Sequence, residues 1–119
     1  MIYFCQMNTE KNISQMRKGV LELCILSIIG TRDEVYASDI LHELKQAQLI
    51  VVEGTLYPLL TRLKNDELLS YRWEESKSGP PRKYYRLTES GQQMLAELKI
   101  GWNDLVAAVE QITNTKKTS

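Results

Sequence analysis

The sequence predicts a mainly α-helical chain with a small β-hairpin and a long last helix. Three observations carry that expectation. Apolar residues recur at helical spacing through most of the 119 residues. Leu69, Tyr71 and Trp73 alternate with polar neighbours just before a segment rich in glycine and proline. From Leu95 to Ile112, large apolar residues return at intervals of three and four without a slip.

A chain of this length forms one domain and gains from a partner. Fifteen basic and fifteen acidic residues cancel, so net charge gives no reason to expect a polyanionic ligand. The distribution does. Arg62, Lys64, Arg72, Lys77, Arg82, Lys83 and Arg86 face only Asp66, Glu67, Glu74 and Glu75 in the same stretch. Cys5 and Cys24 follow no metal or redox spacing, and no apolar run reaches the length of a membrane span. The opening M-I-Y-F-C-Q lacks the features of a signal peptide. The expected location is cytoplasmic, with no cofactor and no metal. Either Met1 or Met7 can serve as the translation start.

Residues 1–12 lack periodicity and read as a flexible arm. Ser14 can cap a helix that runs to Gly30. Between Leu21 and Ile29 its apolar positions cover almost the whole circumference, which predicts a central helix. Thr31 to Val35 is a charged turn. A second helix starts near Ser38, turns Ile40, Leu41 and Leu44 inward and fades by Gln48. His42, the sole histidine, lacks the companion of a zinc-binding pair and reads as a surface residue. Leu49 to Val52 is short and β-branched, as in a small strand.

The stretch from Glu53 to Leu68 organises the rest. At about 100° per residue, Leu56, Leu59, Leu60 and Leu63 share one helix face. Gly54, Tyr57, Pro58, Thr61, Lys64 and Asn65 share the other, with Arg62 at its flank. This outer face carries no carboxylate and suits insertion into a nucleic-acid groove; the plainer alternative is an ordinary surface helix. Thr55 as N-cap would place Pro58 at the third helical position, where a missing N–H costs nothing.

Leu69 to Glu74 then reads as a strand, Ser76 to Arg82 as a loop and Lys83 to Leu87 as a returning strand. Lys77, Arg82 and Lys83 would sit at the hairpin tip. Three helices followed by a basic hairpin is the order of a winged helix-turn-helix, here residues 13–87. Its third helix enters the major groove and its wing lies along the backbone. Thr88 caps the last helix, with Glu89 near its positive end.

Leu95, Leu98, Trp102, Leu105, Val109 and Ile112 form the heptad seam, widened by Met94, Val106 and Ala108. A stripe this long asks for a second subunit, making residues 88–114 a dimerisation helix; folding back on its own chain is the alternative. Residues 115–119 read as a flexible tail.

The motifs M-R-K-G-V-L-E at 16–22, E-G-T-L-Y-P-L-L-T-R-L at 53–63 and S-G-P-P-R-K-Y-Y-R-L-T at 78–88, with Gly91 beyond, resemble those of PadR-family transcriptional regulators. The resemblance covers residues 14–113 and is to the short subclass with a single C-terminal helix. V-Y-A-S-D-I at 35–40 departs from it, since Ala37 stands where glycine is frequent. The resemblance implies a dimeric winged helix-turn-helix repressor of nearby genes. It also implies DNA contact from Thr55, Tyr57 and Pro58, and from Gly79, Pro80, Arg82 and Lys83. The exposed face of the third helix adds Thr61 and Lys64. Of Tyr84 and Tyr85, strand alternation turns only one inward.

The expected partners are double-stranded DNA with a palindromic operator and a second copy of the chain. A winged-helix protein-interaction module without DNA binding is the alternative. No histidine-centred constellation or nucleotide loop suggests an enzyme. Trp102, midway along the seam, also suggests a small aromatic effector. Multidrug-binding members of the family hold a tryptophan at the matching place, and Met16 and Met94 can line such a pocket. Otherwise Trp102 is an interface anchor.

Overall fold

The computed structural model describes residues 2–114, with side chains from Thr9 onward. The expected 115–119 tail and the side chain of Cys5 lie outside the described residues. Helix α1 runs Ile2–Thr31 and is followed by strand β1 (Val35–Tyr36) and helix α2 (Ala37–Gln46). Helix α3 (Glu53–Asn65), strands β2 (Leu69–Ser76) and β3 (Gly79–Leu87) and helix α4 (Glu89–Thr113) complete the chain.

The expected arm over residues 1–12 gives way to helix from Ile2, and Ser14 lies inside α1 rather than capping it. Residues 2–13 contain neither glycine nor proline, so nothing halts propagation of a helix already nucleated downstream. The core-facing half of α1 matches expectation. Leu21, Ile25, Leu26 and Ile29 are all buried, and Ile40, Leu44, Leu56, Leu60 and Leu63 close around them.

Tyr36 precedes α2, and the Asp39 carboxylate reaches back to accept its N–H at 3.2 Å. Helices α2 and α3 end in the same way. Gln48 and Glu67 adopt positive φ of 66° and 63°. The next N–H then closes back on the last turn, Leu49 on the Leu44 carbonyl and Leu68 on that of Leu63. Residues 49–52 are therefore the exit from a helix cap, not the expected strand. No neighbouring strand pairs with them, and Ile50 and Val52 are exposed.

Helix α3 begins earlier than expected, with Val52 as N-cap, its carbonyl accepting from Thr55 and Leu56. Thr55 is thus inside the first turn. Pro58 occupies the sixth helical position and cannot donate to the Gly54 carbonyl, a loss softened because Gly54 is exposed to water.

The sheet has the order β1-β3-β2, all antiparallel. Val35, expected at the end of a turn, and Tyr36 beside it pair with Tyr85 and Tyr84. The expected loop of 76–82 contracts to a turn at Lys77 and Ser78, so both prolines belong to β3. They are tolerated because β1 reaches only Tyr84 and Tyr85 and the β2 register shifts between Glu74 and Ser76. Lys77 alone is at the tip; Arg82 and Lys83 lie along the strand, opposite Glu74 and Trp73.

The Thr88 hydroxyl accepts the Gly91 N–H at 3.0 Å and donates to the Glu67 carbonyl at 2.6 Å, locking the start of α4 to the end of α3. Leu95 and Leu98, expected in the seam, are half-buried against the chain's own core. Beyond them Trp102, Leu105 and Val109 of α4 share a groove with Ile13, Met16 and Val20 of α1. Gly91 is buried where α4 crosses the chain, and a Cβ there would meet the Leu68 carbonyl oxygen at 2.0 Å. Gly91→Ala should lower unfolding stability by roughly 2–3 kcal/mol, as an overpacked position with no flexible neighbour to yield. Gly101→Ala, which meets nothing within 4 Å, should not. Urea denaturation of the two variants checks the contrast.

Candidate nucleic-acid interface

The outer face of α3 follows from the three-and-four spacing of its leucines. With Leu56, Leu60 and Leu63 buried, Thr55, Tyr57, Pro58, Thr61 and Lys64 are all turned to solvent. On the wing, Gly79, Pro80 and Arg82 are exposed and Lys83 is half-buried. Between α3, the wing and the start of α2 lies a groove of about 460 Å³. Tyr57, Thr61, Trp73, Pro81, Arg82 and Lys83 are among its walls, and no carboxylate is. Thr55, Pro58, Lys64, Gly79 and Pro80 lie outside its lining.

Ion pairing sorts the cations of this region. Arg62 is held by Glu22 of α1 and by Asp66, both at 3.3 Å. Arg72 binds Glu34 at 2.8 Å and Glu74 at 3.6 Å. Among the described residues, Lys64, Arg82 and Lys83 make no such pair. Their charged heads lie over aromatic rings instead. Lys83 Nζ is 4.4 Å from the Tyr71 centroid and 5.0 Å from that of Trp73. Arg82 lies 5.2 Å over Tyr36, and Lys64 5.8 Å over Tyr71. A ring orients a cation without neutralising it, so these three keep their charge for an external anion.

Tyr85 is the inward member of the tyrosine pair, buried under the sheet, and burial pushes its phenol upward. Tyr84 turns out to stack on Tyr36 at 3.8 Å between centroids. Hydrogen bonding with Tyr36, then desolvation and Glu74, hold the Tyr84 phenol well above its ordinary range. Both are neutral donors near pH 7. Glu34 moves the other way: its hydrogen bond to Arg72 keeps the carboxyl below its ordinary range.

Two contributors to the groove were not legible as such. Tyr36 enters through the short strand β1. Trp73 falls in the inward phase of β2 by alternation, yet it is 59% exposed because the hairpin extends past the body it would pack on.

The second expected surface is apolar. Trp102, Leu105, Val109 and Ile112 on α4 are exposed, as are Ile13 and Met16 on α1. Trp102 borders two grooves. One, of about 550 Å³, has Met16, Val20, Leu105 and Val109 in its walls; the other, of about 910 Å³, has Leu23, Cys24, Ile28 and Lys99. Met94 lines neither and packs against the core. Burial raises the Cys24 thiol above its ordinary range. Among the described residues, no cluster is suited to a metal ion and no helix is long and apolar enough to cross a membrane.

Residues 25–97 match the Transcriptional regulator PadR-like family. A PadR-like transcription factor from Bacteroides fragilis is 59% identical, over 86% of this chain and 98% of that one, with a TM-score of 0.72. A PadR family regulator from Eggerthella lenta is 28% identical over 98% of this chain and 100% of that one, with a TM-score of 0.85. A Bacillus subtilis PadR, solved in complex with operator DNA, is 27% identical with a TM-score of 0.63. That match covers 68% of this chain and 46% of the other. An uncharacterised protein of Lysinibacillus sphaericus is 29% identical over 82% of this chain and 91% of its own length.

Proposed function

The chain belongs to the PadR-like family of transcriptional regulators, and on that premise we propose that it is a DNA-binding repressor of nearby genes acting as a homodimer. It is a regulator, not an enzyme. The observation that carries the reading is the sorting of charge. Among the described residues, Arg82 and Lys83 in the wall of an acid-free groove and Lys64 outside it are left without carboxylate partners, while Arg62 and Arg72 are neutralised. Residues 13–87 supply the DNA-binding unit. Helix α3 enters the major groove with Thr55, Tyr57, Pro58, Thr61 and Lys64, and the wing meets the backbone through Gly79, Pro80, Arg82 and Lys83.

Residues 88–114 supply the dimer contact. Because Leu95 and Leu98 already pack on their own chain, the seam offered to the second copy is Trp102, Leu105, Val109 and Ile112, beside Ile13 and Met16. A two-fold dimer would read a palindromic operator with half-sites about one helical turn, ~10 bp, apart. A planar aromatic effector between the paired Trp102 rings would change the spacing of the two α3 helices and release DNA. Met16 shares that groove; Met94 is not on it.

Arg82→Ala and Lys83→Ala should each weaken binding of the chain's own promoter and of random duplex alike, and reduce the salt slope by about one. Tyr57→Ala should hurt the promoter more than random DNA. Gel shifts across a salt series measure both; wild-type binding by all three would remove the DNA surface from this face.

Leu105→Glu should convert the dimer to a folded monomer, because Leu105 is 54% exposed in the single chain and only a partner desolvates it. Light scattering with circular dichroism separates that result from unfolding. A variant that stays dimeric places the interface elsewhere.

With Trp73→Phe leaving Trp102 as the only indole, planar aromatic dyes titrated without DNA should quench its emission. An intact dimer with no quenching across a broad panel would make Trp102 a packing residue alone.

A further inference from the structure

Trp73 is unexplained by the fold. The body leaves most of it exposed, yet its ring is not left to swing. Tyr71 meets it edge-on, with centroids 6.0 Å apart at 89°. Lys83, its cross-strand partner, holds its ammonium 5.0 Å from the same ring. An indole that is 59% exposed and fixed on two sides is a presented surface.

What it is presented to follows from the groove it lines. A helix in the major groove and a wing beside it straddle the sugar–phosphate strand that separates the two grooves of a duplex. The space between α3 and the wing, walled by Tyr57, Thr61, Trp73, Pro81, Arg82 and Lys83, therefore faces that strand. Backbone chemistry alternates an anionic phosphate with a largely apolar deoxyribose. The groove offers both complements: cations without carboxylate partners for the phosphates, and aromatic and proline surface for the sugars. Its lining has no acid to repel the phosphates.

We propose that Trp73 is a DNA-contact residue whose indole packs against a deoxyribose of the strand lying between α3 and the wing, with Lys83 on the adjoining phosphate. This rests on the DNA-binding reading above. The contact is apolar and blind to base identity. It displaces water rather than counterions, so its signature differs from that of a phosphate-binding cation.

The test compares wild type, Trp73→Ala and Trp73→Phe by fluorescence anisotropy on two labelled duplexes, the chain's own promoter fragment and random sequence of equal length. Titrations are repeated over a salt series beginning at about 50 mM. Trp73→Ala should lose roughly tenfold in affinity on both duplexes, with the salt slope unchanged. Trp73→Phe should retain most of the affinity. Removal of an exposed ring leaves the core intact, and circular dichroism verifies the fold.

Undiminished binding by Trp73→Ala overturns the proposal. So does a loss accompanied by a slope reduced by about one, which would make Trp73 only a support for Lys83. A loss confined to the promoter also overturns it, since the ring would then be reading bases. If wild type binds neither duplex, the DNA-binding reading itself falls; if wild type binds and Trp73→Ala is indifferent, only the role of Trp73 does.

Discussion

Helix α1 is apolar around nearly its whole girth between Leu21 and Ile29, and that one demand shapes the molecule. A stripe on one side can be satisfied by one neighbour; a girdle needs several. Helices α2 and α3 cover it through Ile40, Leu44, Leu56, Leu60 and Leu63, while β3 contributes Tyr85 and Leu87. With the leucines of α3 committed to this task, the helix can show only its polar side to solvent. The solvent face of α3 is thus the remainder left by core packing. Glu22, on the same α1, reaches across to Arg62 and adds a polar tie between the central helix and α3.

A chain of zero net charge can still present a positive surface if its acids are spent locally. Asp66, Glu22, Glu34 and Glu74 are engaged with Arg62 and Arg72, on the flanks. The cations nearest the groove are matched with rings instead.

The helices, the hairpin and the Thr88 cap were legible because each rests on a periodicity or a side-chain donor visible in sequence. The inward choice of Tyr85 over Tyr84 was narrowed but not decided by alternation. What escaped has common causes. Strand β1 is two residues long, too short for any period to register. The ends of α2 and α3 use Gln48 and Glu67 in a conformation usually marked by glycine, so the stop signal was missing and residues 49–52 passed for a strand. At the N-terminus the lack of periodicity hid a helix that nothing interrupts. Trp73 and the Leu95 and Leu98 end of the seam show the remaining limit. Periodicity tells which side chains share a face, whereas tertiary contact decides what that face meets.

The unbroken length of α1 has a mechanical consequence. One rod carries Ile29 in the core and Met16 on the arm ahead of it, so a tilt imposed on the arm reaches the core undiminished. At 1.5 Å per residue, the arm ahead of Leu21 is about 28 Å long. A rotation of about 10° about the core would move its tip by about 5 Å, and a displacement at the tip would in turn be geared down into a fine adjustment beneath α3. Gly19, with open space around it, is the point at which this lever would bend if it bends at all.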